Sequence, residues 1–353
     1  MKKKILNSPK KILIIAPSWV GDMVMAQALF KILKQEHSGV LIDVLASSYL
    51  HPLLQRMTHV NHCIELPFSH GALNLLDRYR LGRSLRKEHY DWAIILPNSF
   101  KSALIPFWAK IPRRTGWRGE MRYGVVNDLR ILHKSQFPQM LERFLALGLN
   151  AKQNLPIKNI KRPLPALQTS KRHCQNTLRT LNLTELTTNA KPILALCPGA
   201  EYGPAKRWSM EHFATVAKVK NTEGWCVLLL GGHKDKTIAE AIQKATGDVC
   251  INLAGKTGLD EVVDLLALAT AIITNDSGLM HIAAALNKSM IALYGSSSPK
   301  FTPPLSENAT ILSLHLPCSP CFQRTCPFGH TRCLQDLKVD VVLETLHKIV
   351  KRN

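Results

Sequence analysis

Acidic residues are scarce in this 353-residue chain: 25 Asp and Glu stand against 46 Lys and Arg, a formal net charge of +21. The excess is uneven, with 24 basic and 10 acidic residues in positions 1–160 and 22 and 15 in the remainder. A first half so charged is expected to face something acidic, whether nucleic acid or an anionic membrane or lipid, because electrostatic attraction carries no chemical identity. Long apolar runs are also missing, and none approaches the roughly 20 residues that span a bilayer. The basic start Lys2-Lys3-Lys4 leads only into a short Ile12–Ala16 run before Pro17, Ser18 and Gly21-Asp22. That reads as a buried first strand and not a signal peptide, so a cytoplasmic protein is expected. No RNA- or DNA-binding motif is recognisable, which counts against nucleic acid as the partner. An Asp-x-Asp pair, which would hold a divalent cation, is absent as well.

What is present is a rhythm of strands and helices. The length exceeds that at which single cores usually split, so two domains are expected. Lys11–Ala16, Leu41–Ala46 and Trp92–Pro97 read as buried strands, with helices over Asp22–Glu36, Leu73–Glu88 and Pro138–Gly148. A second series places strands at Pro192–Cys197, Trp225–Leu230, Val249–Leu253, Ala271–Thr274 and Ser289–Tyr294. Helices at Met210–Asn221, Asp235–Ala245, Leu259–Ala269 and Gly278–Leu286 separate them. Such alternation means α/β, with parallel sheets covered on both faces. The Pro-punctuated segment Ile157–Ser170 is the expected linker, giving domains of 1–165 and 166–338 and a closing helix within 339–353. Each half is Rossmann-like, with ligands expected at the carboxyl ends of its strands and so in a cleft between the halves.

Three polar turns at strand ends carry the candidate chemistry. In Thr274-Asn275-Asp276-Ser277-Gly278-Leu279-Met280-His281 an apolar strand stops and an Ala-rich helix starts, so free backbone N–H groups gather where an anion is stabilised. Ser277 adds a hydroxyl, Gly278 admits close approach, and His281 lies about one turn on; an ordinary N-cap is the plainer alternative. After the first strand, Ala16-Pro17-Ser18-Trp19-Val20-Gly21-Asp22 aims the Asp22 carboxylate from a helix start, unless Asp22 is simply a cap. The loop Cys197-Pro198-Gly199-Ala200-Glu201-Tyr202-Gly203-Pro204-Ala205-Lys206-Arg207-Trp208 is neither a Walker loop nor G-x-G-x-x-G. Lys206 and Arg207 can neutralise a diphosphate there, or form a surface pair beside a core Trp. A denser basic group, Lys101, Lys110, Arg113, Arg114, Arg118 and Arg122, surrounds Glu120 with Trp108 and Trp117 between. It suits phosphorylated sugars, bases or a membrane interface, or is only a solvated face.

Taken together, Ser18–Gln27, Pro198–Trp208 and Asn275–His281 closely resemble the ADP-heptose:lipopolysaccharide heptosyltransferases, and within them those that add the second inner-core heptose. The resemblance runs over about residues 10–350. It implies a GT-B fold, two Rossmann-like parallel-sheet domains facing across a cleft, with the sugar nucleotide held by the second and the acceptor by the first. By position, Asp22 then matches the catalytic base and Lys206 the lysine on the ADP phosphates. Ser277, Gly278 and His281 match the diphosphate turn beside Asp276, which meets the donor sugar, and Gly21 belongs to the motif before the base. Asp235 matches a carboxylate on the ribose hydroxyls and Thr257 a position flanking the adenine. Glu201 and Tyr202 occupy loop positions that contact donor phosphates in the sister enzyme, although the side chains differ there.

The expected reaction is one inverting displacement that moves heptose from ADP-heptose to heptosyl-Kdo₂-lipid A. Asp22 removes the acceptor proton while Lys206 and the Ser277-Gly278 amides stabilise departing ADP, with no cofactor required. Lys101, Arg113, Arg114, Arg118 and Arg122 are the acceptor-side cations, facing an acidic glycolipid on the cytoplasmic face of the inner membrane, to which the protein binds peripherally. The enzyme that adds the first heptose, another GT-B sugar-nucleotide enzyme, and a non-enzymatic nucleic-acid or membrane-surface binder are the alternatives. Of nine cysteines, Cys318, Cys321, Cys326 and Cys333 cluster near His330. Their later spacing is not that of a standard zinc finger, so the main expectation is packed or free thiols and the lesser one a metal site.

Overall fold

The computed structural model describes residues 8–68, 71–149, 162–188 and 191–351. Two compact units divide between Pro163 and Leu164. In the first, the chain order is β1 (Lys11–Ile15), α1 (Val20–Glu36), β2 (Leu41–Ala46), α2 (His51–Leu54), β3 (His62–Glu65) and α3 (Leu75–Ser84). It continues through β4 (Trp92–Ile95), α4 (Phe100–Trp108), β5 (Arg113–Trp117), β6 (Asp128–Arg130) and α5 (Met140–Gly148). The second runs α6 (Lys171–Thr180), α7 (Glu185–Thr188), β7 (Ile193–Cys197), α8 (Met210–Thr222), β8 (Cys226–Leu229), α9 (Lys236–Ala245), β9 (Ile251–Asn252) and α10 (Leu259–Leu268). After these come β10 (Ala271–Asn275), α11 (Gly278–Ala285), β11 (Met290–Tyr294), β12 (Ala309–Ser313), α12 (Arg332–Gln335) and α13 (Val339–Lys351).

Both sheets are parallel throughout. The first has order β3-β2-β1-β4-β5-β6 and the second β12-β11-β10-β7-β8-β9, so each is the same doubly wound arrangement. In both, the chain reverses its winding between the first and fourth strands, β1 and β4 or β7 and β10. The crevice outside the carboxyl ends of those strands is where such sheets bind ligands. Strand β1 reads Lys-Ile-Leu-Ile-Ile and its Ile12, Leu13 and Ile14 are fully buried, as a strand covered on both faces demands. The C-terminal α13 belongs to the second core, where Val342, Leu346 and Ile349 pack with Trp208, Phe213 and Leu334. Among the described residues no helix is long and apolar enough to cross a membrane. The Lys2–Lys4 start and positions 157–161 of the expected linker lie outside the described residues.

Several elements were not expected from sequence. β3, β12 and α6 lack an apolar pattern because the two strands are half-exposed edges and α6 buries only Cys174, Thr177 and Leu178. The helix expected over Leu73–Glu88 is α3 followed by a tighter turn, Leu85–Glu88. Most instructive is β5, Arg-Arg-Thr-Gly-Trp, a strand hidden inside the basic cluster. Its Arg113 lies 3.9 Å over the Trp92 ring and pairs with Asp128 at 3.0 Å. Trp92 Nε1 donates to Thr115 Oγ1 at 2.7 Å, and that hydroxyl donates to Asp128.

Two of the expected acceptor-side groups, Arg122 and Trp117, are buried, while Arg113 and Arg114 are half-exposed. Arg122 is 1% exposed and donates to the carbonyls of Trp117 and Pro97, at 3.1 and 2.7 Å; Gly116 leaves room for its guanidinium. Burial lowers its pKa to about 10, so it stays charged near neutral pH. Arg114 is committed to the Val125 and Ile111 carbonyls, and Arg113 to Asp128. Trp117 is buried and unavailable for stacking. Only Arg118 and Lys110 of the group are exposed, with Lys101 half-buried. Removing a buried donor leaves its acceptors unpaired at roughly 1–3 kcal/mol each. Arg122→Ala is therefore expected to destabilise the first unit by about 2–4 kcal/mol, read as a lower urea midpoint; an unchanged midpoint would show the guanidinium to be dispensable.

Candidate active site

In the second unit the decisive side chain is Asn275, the last residue of β10 and fully buried. Its Oδ1 accepts from the Trp208 amide at 3.0 Å and its Nδ2 donates to the Pro198 carbonyl at 2.7 Å. One side chain therefore ties both ends of the 198–208 loop to the end of β10. Trp208 is anchored in turn by its Nε1, which donates to the Leu337 carbonyl at 3.0 Å.

With the loop fixed in this way, Lys206 reaches across the switch point. Its Nζ lies 2.6 Å from Asp276 Oδ2, and both side chains are largely buried, 18% and 4% exposed. Asp276 precedes Ser277, the N-cap of α11, whose side chain does not cap the helix. The Ser277 hydroxyl lies instead 3.4 Å from Thr274 Oγ1. A lysine and a helix N-terminus without a side-chain cap thus stand beside one another, and both favour an anion. His281 is buried behind them. Burial, and to a lesser degree Lys206, outweigh the opposing pull of Asp276 and push its pKa down to about 4, so the ring is neutral at pH 7.

The other expected donor residues follow the ends of neighbouring strands. Asp235, after β8, accepts from the Gly232 amide at 2.9 Å, and burial foremost pushes its carboxyl up from the ordinary range. Its Oδ1 is buried without a hydrogen-bond partner, 3.7 Å from Arg207. A Cβ on Gly199 would come within 2.2 Å of this carboxyl, which explains the glycine after β7. Thr257, after β9, has its Oγ1 3.5 Å from the Leu253 carbonyl. Glu201 is exposed and pairs with Lys234. Tyr202 donates to the Phe322 carbonyl at 2.7 Å, with Lys206 and Arg324 each 5.3 Å from its ring centre. Lys206, Asp276, Ser277, Gly278 and His281 are brought together, while Glu201, Asp235 and Thr257 sit along the same carboxyl edge of the sheet.

In the first unit Asp22 falls in the first turn of α1, half-buried, directly after β1 and hence at that sheet's own switch point. Gly21 beside it is buried, and Trp19, the N-cap position, provides no side-chain cap. The acid of the basic cluster, Glu120, accepts from the Phe100 amide at 2.8 Å at the start of α4.

Comparison with known proteins identifies the family and the fold. Residues 78–332 match the family model for glycosyltransferase family 9 (heptosyltransferase). The chain belongs to glycosyltransferase family 9. It is 46% identical over 347 residues to lipopolysaccharide heptosyltransferase 2 of Salmonella typhimurium, covering 96% of this chain and 98% of that one. It is 49% identical over 307 residues to lipooligosaccharide heptosyltransferase 2 of Haemophilus influenzae, covering 86% and 88%. Among solved structures, Escherichia coli ADP-heptose lipopolysaccharide heptosyltransferase II superposes with a TM-score of 0.87 at 43% identity, covering 97% and 99%. The two Rossmann-like units are those of a GT-B glycosyltransferase.

Two residues of this family 9 chain were missed in sequence. The Asn275 side chain pairs with two distant backbone groups, for which the sequence carries no local signal. Arg324 lies in the cysteine-rich segment and comes near Tyr202 only through tertiary packing, its carbonyl accepting from the Ala205 amide at 3.1 Å. The buried His281 makes a pH prediction. Its folded pKa of about 4 lies below the free value of 6.5, so between these values the unfolded chain takes up a proton that the folded chain does not. Stability should fall as pH drops through that window, by on the order of 3 kcal/mol near pH 4. His281→Gln should remove that loss in urea titrations at pH 7 and 4.5; an equal acid loss in the variant would refute the assignment.

Proposed function

We propose that this chain transfers L-glycero-D-manno-heptose from ADP-heptose to heptosyl-Kdo₂-lipid A, as the second heptose of the lipopolysaccharide inner core. Similarity over nearly the whole length to heptosyltransferases 2 supports this choice over other GT-B enzymes. The observation that carries the chemistry is the Lys206–Asp276 pair beside the N-terminus of α11. Lys206 stands between the Asp276 carboxylate and the space for the donor diphosphate, so that like charges do not meet directly. Asp276 keeps the ammonium oriented and is itself within reach of the donor sugar.

In the proposed reaction the acceptor hydroxyl attacks the anomeric carbon of the β-linked donor, its proton passes to Asp22, and the bond to the ADP oxygen breaks with inversion. Negative charge accumulates on the leaving phosphate, where Lys206 and the Ser277 and Gly278 amides stabilise it in a dry, preorganised setting. These fixed groups take the part of a divalent cation, so transfer should be indifferent to added Mg²⁺. The unpartnered Oδ1 of Asp235 suits the ribose hydroxyls, and Thr257 flanks the adenine. Tyr202 and Glu201 border the phosphates, and neutral His281 supports the turn from behind. The acidic acceptor is met at an anionic membrane surface on its cytoplasmic side, with Lys101, Arg113, Arg114 and Arg118 as the cations that contribute.

General bases typically contribute about 10²–10⁴-fold, roughly 2.7–5.5 kcal/mol. Asp22→Asn should lower kcat by that factor and leave ADP affinity nearly intact, and retention of half the activity would remove Asp22 from the role of base. Lys206→Ala should weaken ADP binding and turnover together. ADP should raise the Tm more than UDP or GDP at equal concentration; no preference among the three would sink the donor assignment.

A further inference from the structure

Residues 314–331, between β12 and α12, run without helix or strand, and most of their side chains are exposed. Phe322 and Phe328 are 48% and 66% exposed, so the segment has little apolar burial to hold it. Loops of this length are uncommon in compact domains unless something fastens them or they are functional. This one is pinned near its middle: the Phe322 amide donates to the Ser296 carbonyl at 2.7 Å, and the Phe322 and Arg324 carbonyls accept from Tyr202 and Ala205.

Its interior is a small cavity of about 10 Å³ bordered by all four clustered cysteines, Cys318, Cys321, Cys326 and Cys333, every one a free thiol. Ser296 borders the same cavity, 1% exposed, with its Oγ buried and lacking a hydrogen-bond partner. The backbone turns tightly after Cys326, where the Gly329 amide donates to the Cys326 carbonyl at 3.1 Å. Gly329 at φ +72° and Thr331 at φ +43° make that turn.

We propose that Cys318, Cys321, Cys326 and Cys333 form a structural site for one thiolate-bound metal ion, with Zn²⁺ the ion that fits. Four sulfurs and no open position are the ligand set of a closed tetrahedral site, and the ion replaces one proton on each thiol as it binds. The sulfurs ring the cavity without yet converging, and no group of three or more His, Cys, Asp or Glu among the described residues is already arranged as a ligand set. Binding would have to draw the four sulfurs inward. The His330 Nδ1 is engaged by the Arg332 amide at 3.0 Å, which leaves the four thiols as the donors. The ion would fasten the segment whose carbonyls hold Tyr202 and Ala205, next to Lys206. The site itself stands apart from the donor assignment.

The full chain, purified in buffers without added metal, is expected to carry about one zinc per molecule by elemental analysis. Titration with an organomercurial should release that zinc into a coloured chelator as about four thiols react. Cys318→Ser combined with Cys321→Ser should abolish bound zinc and lower the Tm, while Cys63→Ser keeps it. If the double variant does not fold, replacement of zinc by Co²⁺ in the wild type decides, through the strong visible bands of tetrahedral cobalt thiolate. Less than about 0.2 equivalent of metal even after incubation with Zn²⁺, or disulfides among these four residues under non-reducing conditions, would overturn the proposal. Iron in place of zinc would uphold the ligand set and overturn the choice of ion.

Discussion

A half-buried lysine and a buried aspartate 2.6 Å apart persist only where each is fixed, because withdrawing charges from water costs several kcal/mol unless geometry repays it. Lys206 and Asp276 meet this condition through Asn275, which binds the backbone before and after the lysine loop to the end of β10. The amide side chain suits the task because it accepts on one side and donates on the other. The arrangement proposed for the donor phosphates rests on this stitch together with the bonds from Tyr202, Ala205 and the Trp208 ring that hold the same loop.

The place of that pair follows from topology. In each sheet the chain returns to lay its fourth strand beside its first, and connections on the two sides of that seam diverge. Asp22 follows β1 at one seam, while Lys206 and Asp276 follow β7 and β10 at the other. The same winding, used twice, sets an acid after the first strand of one sheet and a lysine–aspartate pair at the equivalent seam of the other.

Formal charge and surface charge part company within the basic cluster. The excess of cations in the first half leads to the expectation of an acidic partner, and of that cluster Arg122, Arg114 and Arg113 engage carbonyls, a carboxylate and a tryptophan ring. Guanidinium has five donors in a rigid fork, so it can satisfy backbone oxygens at a strand edge that no apolar side chain could. A formal charge count treats such a group and an exposed lysine alike.

The sequence alone determined the alternation of elements, the strand ends that bear the three motifs, and the family those motifs resemble. Apolar runs closed by glycine and polar turns are local facts, and parallel strands buried on both faces leave them unmistakable. It did not reveal β5, whose two arginines mask a strand, nor edge strands β3 and β12, whose half-exposed residues have no periodic signature. Nor could it foresee that Lys206 and Asp276, 70 residues apart, would share a hydrogen bond, or that four cysteines would border one cavity. Those are contacts between segments distant in sequence, and only the packed chain decides which polar groups are left to meet.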